Sequence, residues 1–88
     1  MKRLHIPQPC LVALDGNRVT AVRWRERAWR VAAELGRWAY RGEWWRDPSL
    51  SGERREYFVL GTARGEIEVF RREGGADAEG WFVSGWWD

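Results

Sequence analysis

Tryptophan and arginine are interleaved along the first half of this chain. Trp24 lies between Arg23 and Arg25, and Trp29 precedes Arg30. Trp38 and Tyr40 fall within Arg37–Arg41, and Trp44-Trp45 run into Arg46. Flat rings stack on bases while guanidinium groups take phosphates, so the combination suits single-stranded nucleic acid. Trp, Tyr and Arg also dominate the hot spots of protein interfaces. In a third arrangement the rings fill a small core and arginines cover them by cation–π contact. The residues expected to bind a partner are Trp24, Arg25, Trp38, Arg41, Trp44, Trp45, Arg46, Arg55, Tyr57 and Trp86.

Residues for covalent or metal chemistry are scarce. His5 is the single histidine and Cys10 the single cysteine. A nucleophile needs a base within hydrogen-bond reach, and only closeness in sequence relates these two. No spacing of His and carboxylates supports a metal site. The glycines fall at turns, with no strand–glycine–helix unit to cradle a phosphate. Glu66 and Glu68, two apart, read as charges on a solvated strand face rather than a glycosidase pair. The chain therefore reads as non-catalytic, with no cofactor.

At 88 residues the chain makes one domain spanning 1–88, too small for a two-domain enzyme. Hydrophobic residues are 44% and aromatic residues 15%, which excludes a disordered chain. Eight of the aromatics are tryptophan, more than a core of this size needs. The net charge is +2, and the basic set is Lys2 with fourteen arginines. Residues 1–46 carry ten basic and four acidic side chains, and residues 47–88 carry five and nine. This asymmetry suits two sheet faces that complement each other, or a basic surface for nucleic acid or an acidic partner. A lone cysteine excludes a disulfide framework and fits a reducing cytoplasm. The start of the chain has charge but no apolar stretch like that of a signal peptide, and no run could span a membrane. A soluble cytoplasmic protein is expected.

The elements that must position these residues read as strands. Residues 1–9 form an extended lead-in shaped by Pro7 and Pro9. Cys10–Leu14 is a buried strand, Asp15-Gly16-Asn17 a tight turn, and Val19–Arg25 the return strand. Arg25-Glu26-Arg27 is a polar break. Residues 28–35 fit both alternation and a helical stripe, and the short turns on either side favour strand. Gly36 permits a kink before Arg37–Arg41 alternates again. Residues 47–52 and 73–80 are loops. Between them Tyr57-Phe58-Val59-Leu60 is apolar on both faces, the mark of a central strand, and Glu66–Arg71 reads as half-exposed. Residues 81–88 form the last strand. Because Trp44-Trp45 and Trp86-Trp87 are adjacent, one ring of each pair must face away from the other. The expected fold is all-β, with six to seven short antiparallel strands in a meander, closed into a small barrel or strongly twisted.

An ordered series of motifs runs through Val22–Val31, Trp38, Gly42-Glu43-Trp44-Trp45, Arg54–Phe58, Ile67–Arg71 and Gly80–Gly85. It resembles a small bacterial domain similar to the C-terminus of ImuB-like proteins, catalytically inactive relatives of Y-family DNA polymerases. In those tails a Gly-Trp-Trp motif, an Arg-Asp-Tyr-Tyr-like motif and a Trp-Phe-hydrophobic-hydrophobic-Gly motif follow one another. Here Gly42-Glu43-Trp44-Trp45, Arg55-Glu56-Tyr57-Phe58 and Trp81-Phe82-Val83-Ser84-Gly85 stand at those places, with Glu43 inserted, Glu for Asp and Phe for Tyr. The resemblance covers residues 19–88. It implies an accessory role in DNA repair and translesion synthesis through contacts with a partner protein of a translesion polymerase assembly. Direct binding of single-stranded nucleic acid is the alternative, a homodimer is also open, and no membrane is expected.

Overall fold

The structure is a computed structural model that describes residues 2–41, 54–73 and 80–87. It contains six strands: β1 (Lys2–Asp15), β2 (Arg18–Trp24), β3 (Arg27–Arg41), β4 (Arg54–Thr62), β5 (Gly65–Glu73) and β6 (Gly80–Trp87). Each pairs antiparallel with the next, and β6 pairs with β1, so the meander closes into a barrel. There is no helix among the described residues, as expected of an all-β chain.

Closure depends on two long strands that each serve two neighbours. The first part of β1, to Cys10, pairs with β6, and Leu11–Asp15 pairs with β2. Likewise β3 pairs with β2 up to Arg30 and with β4 from Val31 onward. The expected lead-in at residues 1–9 is therefore the β6-paired part of the first strand. Its ladder is interrupted between Arg3 and Gln8, where Pro7 can donate no backbone hydrogen bond. In β3 the register shifts twice, between Val31 and Ala33 and between Glu34 and Gly36. Each shift inserts an unpaired residue and bends the strand, which is how a sheet turns a barrel corner. These bulges explain why residues 28–35 satisfy neither period cleanly: Trp29 and Val31 point inward, yet Leu35 is 53% exposed.

The turns differ in how well their residues suit them. Between β1 and β2, Gly16 adopts φ 61° at the first central position, which glycine accepts without steric cost. The Arg25-Glu26 link between β2 and β3 is also a two-residue turn, with Trp24 opposite Arg27. Both turn residues are left-handed, at φ 53° and 60°, although neither is Gly, Asn or Asp. The turn between β4 and β5 is Ala63-Arg64, where the Thr62 hydroxyl donates to the Gly65 carbonyl at 2.7 Å and accepts from the Arg64 amide at 3.1 Å.

Val19, Val22, Trp24, Trp29, Phe58, Leu60, Ile67, Val69 and Val83 fill the interior, with Leu4, Cys10, Val12, Val31, Trp81 and Trp86 packed against them. In β4, Phe58 and Leu60 point inward while Tyr57 and Val59 are only half-buried, as a strand apolar on both faces requires. The β5 strand departs from its expected half-exposure, because Ile67, Glu68, Val69 and Phe70 are all buried. Outside the core, Phe70 lies under Arg55, and Glu68 is held by Arg3 and Ser84. Glu68 is thus not a solvated charge: it accepts the Ser84 hydroxyl at 2.6 Å and pairs with Arg3 at 3.2 Å. The register shift that places Ser84 opposite this stretch of β5 supplies that hydroxyl.

Ile67 is 0% exposed, so Ile67→Ala should cost about 2–5 kcal/mol. Leu11 is 71% exposed, and Leu11→Ala should remain within about 0.5 kcal/mol of the parent. Urea denaturation midpoints of the two variants test this placement of the core.

Candidate functional site

The meander gives the barrel two ends of different construction. One carries the β1–β2 turn, and the other carries the β2–β3 and β4–β5 turns beside the start of β1 and the end of β6. At the first end Arg37 stacks over Phe58 at 4.6 Å and donates from Nη2 to the Asn17 carbonyl at 2.9 Å. Its guanidinium also pairs with Glu34 at 3.0 Å. Beside it Arg71 pairs with Glu73 at 3.1 Å and Glu56 at 3.6 Å, and lies over Trp81. This end keeps a cavity of about 160 Å³, and among the described residues Arg37 and Arg71 on its wall are paired with carboxylates.

The second end is open. A cavity of about 440 Å³ is lined by Trp24, Arg25, Arg27, Trp29, Arg64 and Trp86. Its wall is a cluster of indoles: Trp24 meets Trp86 edge-on at 5.0 Å and Trp29 at 6.3 Å between ring centroids. The Arg25 guanidinium covers two of them, 4.4 Å from the Trp24 ring and 4.9 Å from the Trp86 ring. Arg64 donates from Nε to the Ala28 carbonyl at 3.2 Å, which anchors a side chain reaching in from the β4–β5 turn. Among the described residues no carboxylate pairs with Arg25, Arg27 or Arg64. Three like charges around one concave site focus a positive potential. Trp29 is 5% exposed, and its Nε1–H is buried with no hydrogen-bond partner. Such an orphaned donor costs about 1–3 kcal/mol.

The outer face carries the second aromatic set. Trp38, Tyr57, Phe70 and Phe82 stand opposite one another on β3, β4, β5 and β6. Trp38 stacks flat on Tyr57, with centroids 5.3 Å apart and planes 4° apart. Contacts of 5.0 and 5.3 Å continue the row through Phe70 to Phe82. Arg55 and Arg72, opposite each other on β4 and β5, lie over Phe70 and Phe82. Only the Trp38 end of the row presents much surface, at 44% exposed.

The expected binding residues therefore separate. Trp24, Arg25 and Trp86 come together at the open end, while Trp38, Arg55 and Tyr57 share the outer row. Trp24 is 5% exposed and belongs to the core, with an edge on the cavity, because β2 alternation turns Val22 and Trp24 inward together. Arg41 ends β3, and Trp44, Trp45 and Arg46 lie outside the described residues. Arg27, Trp29 and Arg64 were not among the expected binding residues. Pairing across the Arg25-Glu26 turn sets Arg27 beside Trp24, but the two residues carry no turn signature that would reveal it. Arg64 reaches the site only through the closed barrel.

Burial raises the Cys10 thiol from its ordinary 9.0 to about 12, so almost no thiolate is present near neutrality. His5 is exposed, and among the described residues no group of three His, Cys, Asp or Glu side chains could hold a metal ion. Among the described residues no helix is long and apolar enough to cross a membrane. Comparison with known protein families, curated proteins and solved structures returns no match.

Two measurements check this geometry. Left-handed conformation costs about 1–2 kcal/mol per non-glycine residue, against about 0.5–1 kcal/mol for an exposed cation–π contact. Replacing Arg25 by Asn and Glu26 by Gly should therefore raise the urea midpoint, and a lower midpoint would show that the Arg25 stack outweighs the strain. Cys10 should resist iodoacetamide at pH 8 in the folded protein and react once unfolded. Because the folded value is the higher one, its contribution to stability is full below pH 9 and is lost as the pH climbs toward about 12.

Proposed function

We propose that the protein is a non-catalytic interaction module that docks a partner protein of a DNA-repair assembly through its outer aromatic row. The observation that carries this reading is Trp38: a tryptophan 44% exposed, held flat on Tyr57, which in turn packs on the buried Phe70. A rigid ring presented in this way loses little side-chain entropy on binding, which is why Trp and Tyr dominate hot spots. The motif series similar to ImuB-like C-termini points to a translesion polymerase assembly as the source of the partner. Trp38→Ala should weaken binding to that purified assembly about 30-fold, the loss typical of a hot spot, with the circular dichroism spectrum unchanged. Undiminished binding would remove the outer row from the interface.

A second reading, direct contact with single-stranded nucleic acid, is favoured by the open end, where three arginines without carboxylate partners surround tryptophan rings. Titration with an oligonucleotide should quench tryptophan emission and weaken as salt rises. Unchanged emission at micromolar oligonucleotide would exclude this reading.

A further inference from the structure

We propose that the open end of the barrel is a receptor for one nucleoside monophosphate unit, either free or at the end of a single strand. The phosphate sits on Arg27 and Arg64, and the base stacks on the outer face of the Arg25 guanidinium, which itself lies over Trp24 and Trp86. This deepens the nucleic-acid reading and rests on it, giving that reading a site and a stoichiometry of one nucleotide.

Three features converge on this assignment. The cavity, about 440 Å³, falls in the range of roughly 300–1,000 Å³ that small-ligand sites occupy. Among the described residues no carboxylate pairs with its three arginines, whereas at the opposite end Arg37 and Arg71 are paired with Glu34, Glu56 and Glu73. Arg64 is preorganised: its Nε is bound to the Ala28 carbonyl, and its terminal nitrogens make no hydrogen bond among the described residues. A guanidinium so anchored can meet a phosphate with its remaining donors.

The stacked guanidinium selects among anions. Inorganic phosphate would satisfy the arginines and leave the outer face of the Arg25 guanidinium without a stacking partner. An acidic peptide would likewise offer carboxylates with no plane to stack. A nucleotide presents an anion and a π-face on one small ligand, and Arg25 is already seated over the two indoles that bound the cavity. The left-handed Arg25-Glu26 turn, costly for these residues, is what holds the guanidinium there.

The test follows the indole N–H resonances and tryptophan emission of the full chain during titration with thymidine 5′-monophosphate, thymidine, inorganic phosphate and a glutamate-rich peptide. Further arms use a short oligothymidylate with and without a terminal phosphate. The nucleotide should bind at least tenfold more tightly than thymidine or phosphate alone. Arg27→Gln and Arg64→Gln, both at exposed positions, should each lose at least tenfold with unchanged melting temperature. Comparable affinity for the free nucleotide and the phosphorylated strand identifies a free nucleotide as the ligand, and tighter binding of that strand identifies a strand end. Oligonucleotide binding that ignores the terminal phosphate and both arginines would overturn the receptor while leaving nucleic-acid binding in place. Tighter binding of the peptide would overturn it in favour of an acidic protein partner, and no binding of any probe would overturn both readings.

Discussion

Closure of six strands into a ring is the constraint on which the rest of this structure depends. An open meander of this length would leave the outer edges of β1 and β6 unpaired, and pairing them satisfies both rows of backbone groups. The closed ring is narrow. Its interior is filled largely by aliphatic side chains, with Leu60 beside Ile67 and Val69 beside Val83 on neighbouring strands. Large indoles are displaced toward the ends, where Trp24, Trp29 and Trp86 gather on one side and Trp81 on the other. The remaining aromatic surface moves outside, into the row from Trp38 to Phe82. One geometric limit thus accounts for core, cavity and outer row together.

The two ends differ in the charges that accompany their arginines. Both combine arginine with tryptophan. At the β1–β2 end, Glu34, Glu56 and Glu73 are in reach, so the arginines close over Phe58 and Trp81. At the other end the arginines come from two turns and the start of β3, and among the described residues no carboxylate pairs with them. Among the described residues ion pairs form both within and between the two halves of the chain. Arg37 pairs within the first half and Arg71 within the second, while Arg3–Glu68 crosses between them.

Much of the fold is legible in local patterns. The Asp15-Gly16-Asn17 turn, the two-faced apolar β4 and the opposed Trp86-Trp87 pair follow from the period of a strand and from glycine's tolerance of positive φ. Other elements escape such reading for identifiable reasons. The bulges in β3 break its alternation, so residues 28–35 carry a mixed signal. The Arg25-Glu26 turn uses residues that turns disfavour, so it reads as a polar break within one region. Glu68 looks solvated because alternation cannot anticipate the Arg3 and Ser84 that cover it from β1 and β6.

What the amino-acid sequence determined by itself is the class of structure: an all-β chain with aromatic residues on both faces and little that could do covalent chemistry. These properties depend on neighbours in sequence, through strand period, turn propensity and residue type. Which tryptophans are core and which are surface was decided only by tertiary structure, and so was the company each arginine keeps. Trp24 and Trp38 have the same kind of arginine neighbours along the chain, yet one is buried and the other exposed. Inside and outside are defined only once the ring closes, and charges are compensated by strands distant in sequence. The open end exists for the same reason: Arg64 and Trp86 reach Trp24 only across the closed barrel.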